Sequence, residues 1–210
     1  MVTGRTLLSP GESVGDYTVI AFLEQRDDIE IYAAEERTRG IKAVLRCRAA
    51  GAQGIDQGRL FEHVDKLVRL RDPRVPATFA GGSHAHVMWI GGEPIEGTPL
   101  GEVVRDRRAI ALGVALCHVQ ALLEVLMVAE CHGIRHGSLS SSSVVLCPDL
   151  PELRVLGLGV AQAFGRNVRA TADVRGAAAV LYEMLTGLPR RIHACPFRGC
   201  SGACPGRSAR

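Results

Sequence analysis

The chain has 210 residues, 47% hydrophobic and 22% charged, the balance of a globular protein with one substantial domain or two small lobes. Aromatics reach only 4%, so the core must rest on Leu, Val and Ala. Residues 190–210 hold five arginines and no acid, so the net charge of +3 lies in the tail, the rest sums to −2, and a broad nucleic-acid face on the body is excluded.

The first part reads as strand. "DYTVIAFLEQ" (16–25), "IEIYAAEE" (29–36) and "IKAVLRCRA" (41–49) are rich in β-branched and apolar residues. The short breaks "RDD" and "RTRG" between them predict three consecutive antiparallel strands. In "QGRLFEHVDKLVRLR" (57–71), Leu60, Val64, Leu67 and Leu70 recur at helical spacing until Pro73 ends the run. "VPATFAGG" (75–82) and "AHVMWIGG" (85–92) predict two more strands. The character changes at "GGEPIEG" (91–97), after which helices over 98–107 and 109–132 are expected. The apolar stretch 109–130 approaches membrane-spanning length. His118, Gln120, Glu124 and Glu130 are costly in lipid, so it reads as a buried central helix and no membrane span is expected. "SVVLC" and "ELRVLG" flank the turn "PDLP" as brief strands, and "ADVRGAAAVLYEMLTG" (172–187) is a helix with an acidic start and a glycine stop.

Seven cysteines do not form a secreted framework on this reading. Cys47, Cys117, Cys131 and Cys147 lie scattered in apolar surroundings and no signal peptide opens the chain, so buried free thiols of a cytoplasmic protein are expected. In the tail, His193, Cys195, Cys200 and Cys204 have metal-binding chemistry, but the C-x4-C-x3-C spacing lacks a C-x2-C knuckle. The tail is read as disordered, and no metal is expected.

Three phrases carry a family resemblance: "GEPIEGTPLGEVV" (92–104), "AECHGIRHGSL" (129–139) and "DVRGAAAVLYEMLTGLP" (173–189). In this order and spacing they resemble the bacterial serine/threonine protein kinase domain, over about Asp16 to Pro189. The resemblance implies an α+β, two-lobed protein kinase-like fold. Its β-rich N-lobe would span 14–93 and a truncated, helical C-lobe 94–189, with the tail at 190–210.

In active members of that family, phosphoryl transfer needs a glycine-rich phosphate loop, a lysine–glutamate pair, a catalytic aspartate and two magnesium-binding residues. Carried over position by position, the chemistry is missing. "FLEQRDDIEIYAA" (22–34) has no glycine, and Glu24, Asp27, Asp28 and Glu30 would repel phosphate. Arg46 stands at the lysine position, with Lys42 four residues earlier on the same alternation. His63 stands at the glutamate position, with Glu62 beside it. Ser138 replaces the catalytic aspartate, Ser143 the metal-binding asparagine and Gly157 the metal-binding aspartate. A serine hydroxyl neither accepts a proton near neutrality nor holds magnesium well, so Ser140–Ser143 read as a polar loop with capping hydroxyls. Asp149 and Glu152 read as solvated turn acids. His136 is retained, and Asp173 resembles the aspartate that braces the catalytic-loop backbone. Arg46 with hinge residues Glu93 and Ile95 are the cofactor-binding candidates.

The function expected is that of a pseudokinase, a catalytically inactive regulatory or scaffolding module that binds another protein. An active kinase, a cell-envelope protein or a phosphopeptide-binding domain is the expected partner class, with Ser138, Ser140–Ser143 and Thr171 as candidate phosphoacceptors. No cofactor is expected beyond weak, metal-independent ATP binding, and no nucleic acid. Without the family's last helices, the apolar faces of 109–130 and 174–185 would stay uncovered and drive self-association. The alternatives are a divergent ATP-dependent serine/threonine kinase and a truncated product without function.

Overall fold

The computed structural model describes residues 6–51, 56–107, 109–148 and 153–188. Among them it is a mixed α+β structure. A large antiparallel sheet has the order β1 (Ser13–Val14), β2 (Tyr17–Arg26), β3 (Ile29–Glu36), β4 (Lys42–Ala49), β6 (Val87–Gly92), β5 (Thr78–His84). A small sheet joins β7 (Thr98–Pro99), β8 (Val144–Leu146) and β9 (Leu153–Val155). The helices are α1 (Gln57–Arg69), α2 (Leu100–Arg107), α3 (Leu112–Cys131), the single turn α4 (Val160–Ala163) and α5 (Ala170–Thr186).

Alternation sets the faces of the large sheet. Tyr32 and Ala34 of β3 and Ala43, Leu45 and Cys47 of β4 point to one core with Tyr17 and Val19. β6 is buried along its whole length. Val87 and Trp89 join that core, where Trp89 meets the Tyr17 ring edge-on at 5.5 Å. Met88 and Ile90 face the other way, onto Leu60 and Val64 of α1 and Phe164. This placement explains why "VMWI" carries no alternation: both of its faces are covered. β5 begins at Thr78 rather than at Val75, because Pro76 has no amide to donate and the Ala77 amide is taken by the Glu93 carboxylate at 3.0 Å.

The packed region starts earlier than residue 14, the expected start of the first unit. Leu8 is buried. The Leu7 amide donates to Glu30 at 2.8 Å, and the Leu8 amide to the Tyr32 hydroxyl at 3.0 Å. Tyr32 in turn donates to Glu30, so this buried acid is satisfied by the N-terminal segment. Burial and the Glu30 carboxylate push the Tyr32 phenol well above its ordinary range.

Asp56 caps α1, accepting from the Gly58 amide at 2.9 Å, and Leu60, Val64 and Leu67 form its buried stripe. The third core lies between α2, α3 and α5, where Leu122, Val125 and Ala129 meet Ala177, Val180 and Met184. α3 is not the buried central helix that its composition suggests. By length and composition it is the one helix among the described residues able to cross a membrane, yet only 28% of that window is buried. Leu112, Val114, Leu116, Leu123 and Met127 face outward, Met127 with 69% of its surface exposed. The thiols follow suit: Cys47 is buried, but Cys117 and Cys131 are exposed and Cys147 is intermediate. Burial and Glu30 push the Cys47 thiol up to about 12.

Candidate functional site

A cavity of about 570 Å³ opens between the β2–β3 hairpin, the outer face of β4 and the loop around His136 to Ser143. Arg46, Glu93, Ile95, His136, Ser138, Ser143 and Gly157 all line it, so the structure brings these seven sequence-predicted site residues together, without Asp173. Asp173 stands one layer behind.

α5 anchors that layer. From its first turn, the buried carboxylate of Asp173 accepts the His136 amide at 2.8 Å and the Gly137 amide at 2.7 Å. His136 is buried, its Nε2–H donating to the Leu156 carbonyl at 2.8 Å while Nδ1 faces the Ser138 amide at 3.4 Å. This pattern fixes the neutral Nε2–H tautomer. Burial holds the imidazole pKa below 6.5, against the opposing pull of Asp173. Gly137 has φ +80°, and a Cβ there would lie 2.5 Å from Val168 Cγ2, so both conformation and space demand glycine.

Ser140 and Ser143 close a reciprocal capping box around the 3-10 turn Ser141–Ser143. The Ser140 amide donates to Ser143 Oγ at 3.3 Å, and Ser143 is buried. Ser143 is therefore engaged within its own turn, while Ser138 is exposed at the cavity wall. Gly157 has φ +77° but open space, with His136 Cε1 4.0 Å from a hypothetical Cβ. The space would admit a side chain, but the left-handed backbone favours glycine.

The acids of the cavity wall are all committed. Glu24 pairs with Arg26 at 2.8 Å and Asp27 with Arg166 at 3.0 Å. Glu93 accepts Arg154 at 2.7 Å and the Ala77 amide at 3.0 Å, which holds its carboxyl below the usual range against the opposing effect of burial. As a cofactor contact Glu93 is thus already occupied. Asp28 meets Arg166 at 2.5 Å and Arg48 at 2.6 Å, and Arg48 reaches the Phe164 carbonyl at 2.6 Å. Hence the acids of the hairpin tip are neutralised rather than free to repel a ligand. Among the described residues no three His, Cys, Asp or Glu side chains converge on a point able to hold a metal.

Arg46 differs from its neighbours. Its guanidinium faces the cavity and makes no ion pair or hydrogen bond among the described residues. Burial, with Arg26 nearby and against the pull of Glu24, pushes its pKa down to about 10. Neither candidate helix partner reaches it. Glu62 pairs with Lys66 at 2.6 Å and His63 Nδ1 lies 2.9 Å from the Arg59 carbonyl, so both are engaged on α1 and neither lines the cavity. Lys42 is exposed at the start of β4, also off the cavity. Asp149, Glu152 and the tail residues His193, Cys195, Cys200 and Cys204 lie outside the described residues.

Sequence reasoning missed Arg48 and Arg166. Arg48 was detectable in principle, two residues beyond Arg46 and so on the same strand face. Arg166 joins Asp28 across 138 residues, and no local pattern announces such a contact. A scan against models of known protein families finds no match, and a search of curated proteins finds none. The chemistry of the cleft has to be read from its own residues.

Proposed function

We propose that the chain is a protein kinase-like module without phosphoryl-transfer activity, a regulator or scaffold that works by binding another protein. An active kinase or a phosphopeptide-binding domain is the partner class of this reading. The observation that carries it is the state of the cleft acids: Glu24, Asp27 and Glu93 are each tied to an arginine. Magnesium sites in phosphoryl transfer use one or two carboxylates and substrate phosphates. Releasing a carboxylate here would strand a cation, while Ser138, Ser143 and Gly157 offer only hydroxyls and backbone.

Other features support the same reading. The β-rich first part and helical second part follow the order that the motif resemblance implies. Asp173 holds the backbone of the "RHGSL" loop as a brace would, so the loop is well built although it lacks an acid. In the family's terms the scaffold is kept and the chemical groups are gone.

Thermal denaturation with ATP, with and without magnesium, joined to a γ-phosphoryl transfer assay, tests the reading. The expected outcome is no magnesium-dependent rise in melting temperature and no labelled acceptor. A nucleotide at one hundred times its Kd stabilises by about 2.7 kcal/mol, a clear shift. Such a shift requiring magnesium, together with label transfer, would overturn the proposal.

A further inference from the structure

The charges around the cavity add up to a specific remainder. Each wall acid is matched: Glu24 by Arg26, Asp27 by Arg166 and Glu93 by Arg154. Arg166 also serves Asp28, whose second partner is Arg48, so this cluster of two acids and two arginines is neutral. The hydrogen-bonding pattern of His136 is that of a neutral imidazole. One cation is left over, Arg46, unpaired among the described residues and only partly open to solvent. An unpaired, partly desolvated guanidinium is costly, and a bidentate anion relieves that cost.

The walls around it are largely apolar: Leu23, Ile31, Val44, Ile95, Leu156 and Val160 line the same cavity. Its volume of about 570 Å³ suits a small organic molecule. A polyphosphate fits poorly, because its several negative charges would meet one free cation.

We propose that this cavity binds an amphipathic organic monoanion, a carboxylate with an apolar body, its headgroup forked onto Arg46 without a metal. The planar guanidinium donates two parallel N–H bonds to the carboxylate oxygens, and the apolar body displaces water from the six aliphatic side chains. The non-catalytic cleft thereby becomes a site through which a small molecule regulates the module. This inference rests on the non-catalytic reading.

Isothermal titration of the full chain tests it with four probes: decanoate, 2-naphthoate, neutral decan-1-ol and Mg-ATP. At least one carboxylate is expected to bind tenfold or more tightly than decan-1-ol. The preference for decanoate or for 2-naphthoate tells whether the cavity takes a linear or a flat apolar body. Arg46→Met should abolish the preference over the alcohol, with alcohol binding retained as the sign of a folded variant, and Arg46→Lys should keep part of it. If Arg46→Met does not fold, the wild-type ratio and Arg46→Lys decide. Equal binding of acid and alcohol by the wild type, or carboxylate binding unchanged by Arg46→Met, would overturn the proposal. Phosphoryl transfer from Mg-ATP would remove the non-catalytic reading as well; failure of both carboxylates without such transfer removes this inference alone.

Discussion

His136 shows how one residue couples the site to stability. Its ring and amide link the Leu156 carbonyl to Asp173, and the ring has no room for a second proton without losing the Ser138 amide as a donor to Nδ1. Burial holds its folded pKa below 6.5, although Asp173 pulls the other way and Arg26 adds to the depression. Below pH 6.5 the unfolded chain therefore binds more protons at this position than the folded one. Stability from this group is complete above about pH 6.5 and is lost as pH falls toward the folded pKa, by at most ~1.4 kcal/mol per pH unit. Urea melts at pH 7.5 and 5.5 should show this decline, and His136→Asn should flatten it. Parallel pH profiles for the two proteins would refute the assignment. The paired carboxylates Asp28 and Glu93, both held low, act in a more acidic window, because their stabilisation is lost only as they protonate.

At the scale of elements, the β2–β3 hairpin forms one wall of the cavity. Its tip turns at Asp27 and Asp28, with Asp27 at φ +55°. Its tip is tied down by ions as well as by the packing of Ile29: Arg166 to both acids, Arg48 to Asp28, and Arg26 to the Ser142 carbonyl at 3.3 Å. Phe22 and Leu23 on the hairpin are substantially exposed. Asp27 is well exposed and Arg166 partly so, so the tie between them is worth about 0–1 kcal/mol and is screened by salt. Arg166→Gln should cost no more than about 1 kcal/mol in overall stability. It should still speed amide exchange over residues 25–29 several-fold, and 0.5 M salt should do the same to the wild type. Unchanged exchange in both cases would mean that backbone pairing alone holds the hairpin over the cavity.

For the whole molecule, the exposed apolar surface of α3 and α5 is the dominant external feature. Leu112, Val114, Leu116 and Met127 of α3 and Val174, Tyr182 and Leu185 of α5 are large hydrophobics open to solvent. Such surface in water tends to find a partner. The expected behaviour of the isolated chain is concentration-dependent self-association in sedimentation velocity. Leu116→Glu with Met127→Glu should shift it toward monomer while leaving the melting temperature within a few degrees, because neither residue is in the core. A wild type that stays monomeric over the full concentration range would refute this.

Much of the local structure was legible in the sequence, because short-range rules decide it. The alternation in "IEIYAAEE" gives β3, the spacing of Leu60, Val64 and Leu67 gives the buried stripe of α1, and Gly187 with φ +70° stops α5. The mixed α+β class follows from the order of these elements. The absence of acids at 138, 143 and 157 is likewise a property of the chain itself. Tertiary structure alone decided the rest. Composition suggests that α3 is buried, yet burial depends on which neighbours arrive, and only one flank of α3 receives them. The acids of the hairpin look repulsive in sequence, yet Arg166 comes from 138 residues away to neutralise them. That Arg46 ends as the one unmatched charge facing the cavity among the described residues is a sum over five ion pairs, most of them between residues far apart in sequence, and no window along the chain contains that sum.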